Sequence, residues 1–112
     1  MIKLLHPSNS EAATGNSGPI EAANEEAIAL FVNVTSLTGS VTVKVQESAD
    51  GVDWFDVPGL TSGSLGSTGA VAVRATIGTK LSDKVRAVWT VVTGPATFTA
   101  RLSTVDFQGS GN

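Results

Sequence analysis

Residues 40–57, SVTVKVQESADGVDWFDV, contain the pattern that most constrains the fold. Every second residue of 41–45 is a valine and polar residues lie between them, so the valines share one face of a strand. The dipeptide Asp50-Gly51 follows, and both residue types tolerate the positive φ that a tight turn requires. Residues 53–57 are then expected to return as a second strand. The segment therefore predicts a β-hairpin with one apolar face and one polar face.

The same alternation occurs in most of the remaining chain. Residues 27–35, 70–77, 83–92 and 96–107 place apolar side chains on one face and mostly Thr, Asn or Arg on the other. Residues 2–5 are expected to form a short edge strand. The inward-facing residues predict one core made of Leu30, Val32, Val34, Val41, Val43, Val45, Trp54, Val71, Val73, Ala75, Val85, Ala87, Trp89, Val91, Phe98, Ala100 and Leu102.

Six or seven short strands, with no helical pattern, indicate an antiparallel sandwich or a small barrel. We predict an all-β, antiparallel β-sandwich, and the sequence leaves immunoglobulin-like and jelly-roll-like strand orders both open. Residues 1–26 are assigned to an N-terminal arm and lead-in, residues 27–107 to the sandwich and residues 108–112 to a C-terminal tail. Within the arm, residues 7–19 are rich in Ser, Asn, Gly and Pro and predict an extended, mobile segment. Residues 58–69 predict a long Gly/Ser loop.

Charge and composition exclude several classes of function. The chain has 112 residues and a net charge of −3, and its seven basic residues form no basic stripe, so we expect no nucleic-acid partner. The absence of cysteine excludes thiolate catalysis and cysteine metal sites. No apolar run is long enough for a secretory signal or a membrane span, so we expect synthesis in the cytoplasm and no membrane partner. Charged residues make up only 15% of the chain, which suits a surface that packs against copies or partners, and equally a small all-β domain with Thr-rich outer faces.

The chain offers no catalytic constellation. His6 is the only histidine, and no acid is placed in sequence to orient it, so we expect an exposed residue of the arm. Asp50, Asp53 and Asp56 follow one another at intervals of three, but the turn would split their directions, and solvated turn residues are favoured over a calcium site. No phosphate-binding loop is present. We predict that the protein is not an enzyme and uses no cofactor or metal.

The hairpin turn has the pattern Ser-x-Asp-Gly-x-x-Trp over residues 48–54. This pattern resembles a hairpin of discoidin-like and other carbohydrate-binding β-sandwiches and, less well, the Asp-box of sialidase propellers. The resemblance implies that Asp50 and Gly51 close the turn while Trp54 packs beneath it. We therefore favour core packing over sugar stacking for Trp54.

A wider resemblance covers about residues 12–107. The motifs, in order, are AATGNSG at 12–18, VNVT at 32–35, VKVQESADG at 43–51 with Trp54 after it, VRAVWT at 85–90 and TFTA at 97–100. This order resembles the small β-sandwich structural proteins encoded among the head genes of tailed bacteriophages. Some of those proteins are capsid decoration, or cement, proteins.

The resemblance implies a late virion protein, made in the host cytoplasm, that binds major capsid subunits on the outer surface of an icosahedral shell and stabilises it. A homotrimer is one state that such proteins adopt. Two alternatives stay open: a carbohydrate-binding module of a phage tail or fibre, and a head-completion or tail-tube protein. Deleting residues 1–19 is expected to leave the sandwich folded but to weaken capsid binding. The residues predicted to contact the partner are His6, Pro7, Asn9, Asn16, Pro19 and Phe31.

Overall fold

The alternating segments form antiparallel sheets, so the prediction of an all-β sandwich is confirmed. The structure, a computed structural model, describes residues 1–106. No helix in this range is long and apolar enough to cross a membrane. The described residues form nine strands: β1 (Ile2–Glu11), β2 (Gly15–Asn16), β3 (Ile20–Glu21), β4 (Glu25–Leu37), β5 (Ser40–Ser48), β6 (Phe55–Thr61), β7 (Gly69–Arg74), β8 (Lys84–Val92) and β9 (Ala96–Asp106).

The strands divide into two sheets with interleaved connections. Sheet A has the order β1-β9-β4-β7, and sheet B has the order β2-β8-β5-β6 with β3 also paired to β8. Because β2 and β3 pair with successive parts of β8, they act together as one interrupted edge strand. Eight antiparallel strands shared between two sheets in this order make the double Greek key of a jelly roll. The structure thus selects one of the two strand orders that the sequence left open.

One core lies between the two sheets. The hairpin valines predicted to face inward are fully buried, and the rings of Trp89 and Phe98 meet edge to face with centroids 5.7 Å apart. Aromatic pairs prefer this arrangement, in which the positive edge of one ring meets the negative face of the other. Val71 and Val73 on β7 are only half-buried, in contrast to their neighbours on β4. The core is therefore incompletely covered along the β7 edge of sheet A.

The N-terminal segment belongs to sheet A. β1 pairs with β9 over most of its length, so the edge strand predicted for residues 2–5 is present and continues to Glu11. The pairing register shifts between Leu4 and His6, and Leu5 and His6 are both buried as a result. The prediction of a mobile segment over residues 7–19 is therefore wrong for its first part. The sequence did not reveal the strand there, because a bulged strand loses the alternation by which strands are recognised.

Two further predictions are corrected by the structure. The loop expected over residues 58–69 begins only after Thr61, because β6 continues through Pro58, which an edge strand tolerates. Trp54 lies outside the core cluster and is half-buried on the outer surface of sheet B. Phe107, the predicted end of the last strand, and the predicted tail of residues 108–112 lie outside the described residues.

Candidate partner-binding surface

The outer face of sheet A presents apolar side chains to solvent. Five of the nine exposed large apolar residues within the described range lie on β1, β4 and β9 or directly before β1. Contiguous apolar surface commonly marks a site of protein contact, whereas single exposed apolar residues need no explanation, so the arrangement of these residues matters. These five residues are Met1, Ile2, Leu4, Ile28 and Val105.

Strand register places Leu4, one of these residues, in a row that crosses the sheet. Leu4 on β1 lies opposite Arg101 on β9, and Arg101 lies opposite Phe31 on β4. Phe31 in turn lies opposite Ala72 on β7. Directly opposite residues of an antiparallel pair point to the same face of the sheet. One row across all four strands therefore consists of two apolar side chains, one arginine and one alanine.

A second row lies beside the first. Ile2 pairs with Ser103, Ser103 with Ala29, and Ala29 with Arg74. The guanidinium of Arg74 reaches diagonally over the ring of Phe31, with its carbon 5.9 Å from the ring centroid. This distance is near the limit of a cation–π contact, so the interaction is weak. We call the surface formed by Ile2, Leu4, Phe31, Ala72, Arg74 and Arg101 the Phe31 surface.

The Phe31 surface combines apolar side chains with positive charge. Ile2 is 59% exposed and Leu4 is 49% exposed, so both side chains have apolar area to lose on contact. The charged residues of its two rows are both arginines, although the whole chain has a net charge of −3. Arginine is favoured at interfaces because its planar guanidinium bonds carboxylates in two places and stacks on rings. The surface is therefore suited to a flat apolar partner that carries acidic groups.

His6 is buried rather than exposed. Its ring is 3% exposed and stacks on Phe98, with an edge contact to Trp89 at 4.7 Å between centroids. Nδ1 lies 2.9 Å from the carbonyl oxygen of Phe98 and therefore donates to it, and Nε2 lies 2.8 Å from a carboxylate oxygen of Glu11. The expectation of an exposed arm residue is wrong, since the imidazole is enclosed by its own chain. A surface partner has no access to this ring.

The other predicted contact residues occupy different surfaces. Phe31 lies on the outer face of sheet A, as predicted, while Pro7 and Asn9 are exposed on β1 at the edge of the same sheet. Asn16 is exposed on β2, at the edge of sheet B, and its side-chain oxygen accepts from the amide of Gly18 at 3.0 Å. Pro19 is exposed between β2 and β3. The structure therefore places Phe31 with Ile2 and Leu4 rather than with Asn16 and Pro19.

A second surface lies on the outside of sheet B around Trp54. The guanidinium carbon of Arg86 lies 4.3 Å from the centroid of the Trp54 ring, within the range of a cation–π contact. Nε and Nη2 of Arg86 both donate to the side-chain oxygen of Gln46, at 3.0 and 2.8 Å. The amide nitrogen of Gln46 donates to Asp56 at 2.9 Å, and Lys44 donates to the same carboxylate at 3.1 Å.

Hydrogen bonds to the carboxylate of Asp56 favour its charged form. The bond from Gln46 and then the bond from Lys44 hold the pKa of Asp56 below its ordinary value of 3.8. The network therefore presents fixed donors and acceptors beside one aromatic ring at neutral pH. We call this set the Trp54 platform: Lys44, Gln46, Trp54, Asp56 and Arg86.

Side chains close the hairpin turn by accepting hydrogen bonds from its backbone amides. Oδ1 of Asp50 accepts from the amides of Val52 and Asp53, at 2.8 and 3.0 Å. The hydroxyl of Ser48 accepts from the amide of Gly51 at 2.8 Å. The bonds from the amides of Asp53 and Val52, in that order, lower the pKa of Asp50 below 3.8. The expected turn role of Asp50 and Gly51 is confirmed.

The described part of the chain has no concave site. Residues 1–106 enclose no pocket, and none of their histidine and acidic side chains gather in a group of three that could hold a metal ion. Ligand sites for small molecules are usually concave clefts. The two candidate surfaces are open faces, which suits contact with a macromolecule or an extended chain.

No family profile matches the sequence, and no curated protein matches it at a significant level. Among solved structures, the chain is similar to the SPBc2 prophage-derived protein YomS, with a TM-score of 0.58, 16% identity, and coverage of 94% of this chain and 92% of that one. It is also similar to PirA, with a TM-score of 0.52, 10% identity, and coverage of 90% and 89%. Structural similarity at identities this low shows a shared fold and nothing more. Both matches span nearly the whole of each chain, so the jelly roll is common to all three.

Sequence reasoning identified Phe31 but missed its neighbours. Ile2 and Leu4 alternate with Lys3, and this was the available signal for an outward apolar pair. Their position beside Phe31 depends on β1 pairing with β9 and β9 with β4, which a single sequence does not reveal. The Trp54 platform was missed because Trp54 was assigned to the core.

Proposed function

We propose that this protein is a virion structural protein of a tailed bacteriophage that binds the outer surface of the capsid. Its partner is the major capsid protein, and its role is to hold neighbouring subunits together. The Phe31 surface is the observation that carries this proposal. It is an exposed face with apolar residues on three strands, on a chain whose described residues enclose no pocket.

The geometry suits a flat contact that repeats around a shell. Each copy contributes a modest apolar area on one sheet face, and many copies together give a large total stabilisation of the shell without a tight single contact. Arg101 and Arg74 provide charged groups for acidic residues of the partner, which fixes the orientation of the contact more than its strength. Leu4 and Phe31 thus supply the apolar area that the contact buries, and the two arginines fix the orientation of the contact.

The fold is compatible with this role but does not by itself select it. Jelly rolls occur in viral capsid proteins and in lectins, and a fold hosts many unrelated functions. The structural similarity to YomS adds a phage context, because that protein is prophage-derived. The order of motifs over residues 12–107 gives the same context from the sequence. A role in head completion or in the tail tube would use the same fold, and copy number in purified particles separates these roles.

The test is a binding assay on undecorated heads. Heads are mixed with the purified protein and sedimented, and bound copies per shell are measured. We expect saturable binding of the native chain and a loss of about tenfold or more in affinity for Phe31→Asp and Leu4→Asp. The matched control is Val52→Asp, which adds the same charge at a 76% exposed position on the hairpin. Failure of the native chain to bind, or equal binding by Phe31→Asp, would contradict the proposal.

The Trp54 platform favours a second candidate, glycan binding by a tail or fibre module. An aromatic ring beside fixed polar groups is the usual composition of a sugar site. Trp54 lies on the surface against Arg86, which bonds to Gln46, and Gln46 bonds to Asp56. The variant Trp89→Phe leaves Trp54 as the only tryptophan and makes its fluorescence a specific reporter. A shift in its emission on addition of host surface glycans, abolished by Arg86→Ala, would support this candidate. An unchanged emission over millimolar glycan would exclude it.

A further inference from the structure

The four sheet edges of the described residues are unequal in their protection. β1 contains Pro7 and two shifts of register, and β6 contains Pro58 and one shift. The third edge is divided between β2 and β3, which are two residues each. Proline, bulges, shortness and charged side chains are the usual devices that stop a sheet edge from pairing with another chain. β7 has only the last of these, in Arg74 at its end: its six residues contain no proline, and it pairs with β4 without a register shift.

Three residues of β7 direct their backbone amides and carbonyls away from β4. The amide of Ala75 donates to the carbonyl of Ile28 at 2.9 Å, and in the register of β7 with β4 these residues are directly opposite. Successive residues of an antiparallel strand direct their backbone amides and carbonyls to opposite sides of the strand. Val71 and Val73 therefore bond to β4. The amides and carbonyls of Ala70, Ala72 and Arg74 face the free edge of sheet A.

The geometry points to a second copy of this chain as the occupant of that edge. Two β7 strands related by a two-fold axis at Ala72 place Ala72 opposite Ala72 of the second copy and Ala70 opposite its Arg74. All three outward-facing residues then form hydrogen-bonded pairs, with two bonds in each pair. Shifting the register by two residues in either direction reduces these pairs from three to two. The edge therefore has one best register with itself.

Side chains are complementary in the same register. Val71 of one copy lies opposite Val73 of the other as a non-hydrogen-bonded pair, in which side chains approach most closely. These two valines are half-buried, while their β4 partners Val32 and Leu30 are fully buried, so the exposure is confined to the edge. The one charged residue of β7, Arg74, faces an alanine instead of the other Arg74. Pairing thus covers apolar surface and brings no like charges opposite each other.

The resulting dimer has a single sheet of eight strands, in the order β1-β9-β4-β7 followed by the same strands reversed. Its outer face holds two copies of the Phe31 surface side by side. The inference stands without the proposed function, because it uses only the edge of sheet A. If a shell partner does bind the Phe31 surface, one dimer contacts it at two places, which strengthens attachment through linked sites.

The test combines mass measurement with cysteine trapping. We expect a two-chain mass by light scattering or sedimentation velocity, and a dissociation constant raised tenfold or more by Ala72→Pro. That proline removes an amide that faces the free edge and has no role in pairing with β4, so the monomer keeps its sheet. Circular dichroism and thermal unfolding test whether the Ala72→Pro monomer keeps its sheet. Ala72→Lys, with Val52→Lys as the matched control, tests the same edge by placing two positive charges on the axis.

Because the native chain has no cysteine, a single introduced cysteine reports the register. A hydrogen-bonded pair has its Cα atoms about 5.5 Å apart, within the range of a disulfide, so Ala72→Cys is expected to give a covalent dimer under mild oxidation. Ala70→Cys is the control, because its two copies lie four residues apart along the strands, about 13 Å. A monomer at all concentrations, a trimer, or a dimer that Ala72→Cys does not trap would each overturn the inference.

Discussion

The imidazole of His6 stacks on the phenyl ring of Phe98, with centroids 4.0 Å apart and 14° between the ring planes. The same imidazole donates from Nδ1 to the backbone carbonyl of Phe98. The first strand of the chain is thereby joined to the last by a side-chain contact inside the core, in addition to the backbone pairing of β1 with β9. The N-terminal segment is thus part of the structure that holds the sandwich together.

Replacing His6 should destabilise the fold. His6→Ala removes a buried ring and leaves the side-chain bond to the carbonyl of Phe98 unmade, and we expect a loss of about 2–4 kcal/mol in the free energy of unfolding. Urea denaturation followed by tryptophan fluorescence measures it. Ser8→Ala, at an exposed position of the same strand, is the control and should change stability by less than about 0.5 kcal/mol. For the same reason we expect deletion of residues 1–19 to destabilise the sandwich. An unchanged urea midpoint for His6→Ala or for the deletion variant would contradict this account of β1.

Stretches of regular alternation could be predicted from the sequence, including the middle of β4 between its two bulges, whereas the bulged part of β1 could not. β8 and β9 alternate along their length, β5 alternates over residues 41–45, and the residues predicted to face inward in these stretches do so. β1 was recognised only as far as Leu5, because the bulge at His6 places two consecutive residues inside and Pro7 ends the pattern. The order of strands was beyond reach, since it depends on pairings between segments such as β1 and β9 that are far apart in sequence.

Two phenylalanines on neighbouring strands should respond differently to truncation. Phe98 is fully buried between the sheets, so Phe98→Ala is expected to cost about 3–5 kcal/mol of unfolding free energy. Phe31 is half-buried on the outer face, so Phe31→Ala should cost less than about 1.5 kcal/mol. Chemical denaturation of both variants measures the difference. Equal losses would show that Phe31 is a core residue and would remove it from the candidate surface.

Two glycines with nearly the same backbone angle provide a second matched pair. Gly39 has φ +80° and Gly59 has φ +81°, so alanine is strained at both by about 1–2 kcal/mol. At Gly39 the added methyl group would also overlap the carbonyl oxygens of Val92 and Thr93, whereas at Gly59 it meets open space. We expect Gly39→Ala to cost about 3–5 kcal/mol and Gly59→Ala about 1–2 kcal/mol. Thermal unfolding of the two variants gives the comparison, and equal melting temperatures would contradict the packing at Gly39.

The sequence could predict single residues of the candidate surfaces, but not which residues lie together. Phe31 was identified as outward-facing because it is out of phase with Leu30 and Val32 in an alternating strand. Trp54 was assigned to the core because the resemblance of the turn motif implied that it packs beneath the turn, but it lies in the connection between β5 and β6, where no alternation fixes its direction. Its contact with Arg86 depends on the pairing of β5 with β8. Composition therefore indicates which residues can form a surface, and topology decides which of them meet.

Acid should weaken the turn that closes the β5–β6 hairpin. The amides of Asp53 and Val52 bond to the carboxylate of Asp50 and lower its pKa below the ordinary value of 3.8 in the folded state, while the unfolded chain keeps that value. A group with a lowered folded pKa stabilises the fold above its unfolded pKa, and this stabilisation is lost as the pH falls through the folded value. Asp50→Asn keeps the side-chain oxygen that accepts both amides but removes the charge. We therefore expect the native chain to exceed Asp50→Asn in stability near neutral pH, and the difference to shrink as the pH falls below 3.8. Urea unfolding of both proteins over this pH range gives the difference, and carboxyl NMR titration of Asp50 gives the folded pKa directly. A folded pKa at or above 3.8, or a difference that grows in acid, would contradict the assigned role of this carboxylate.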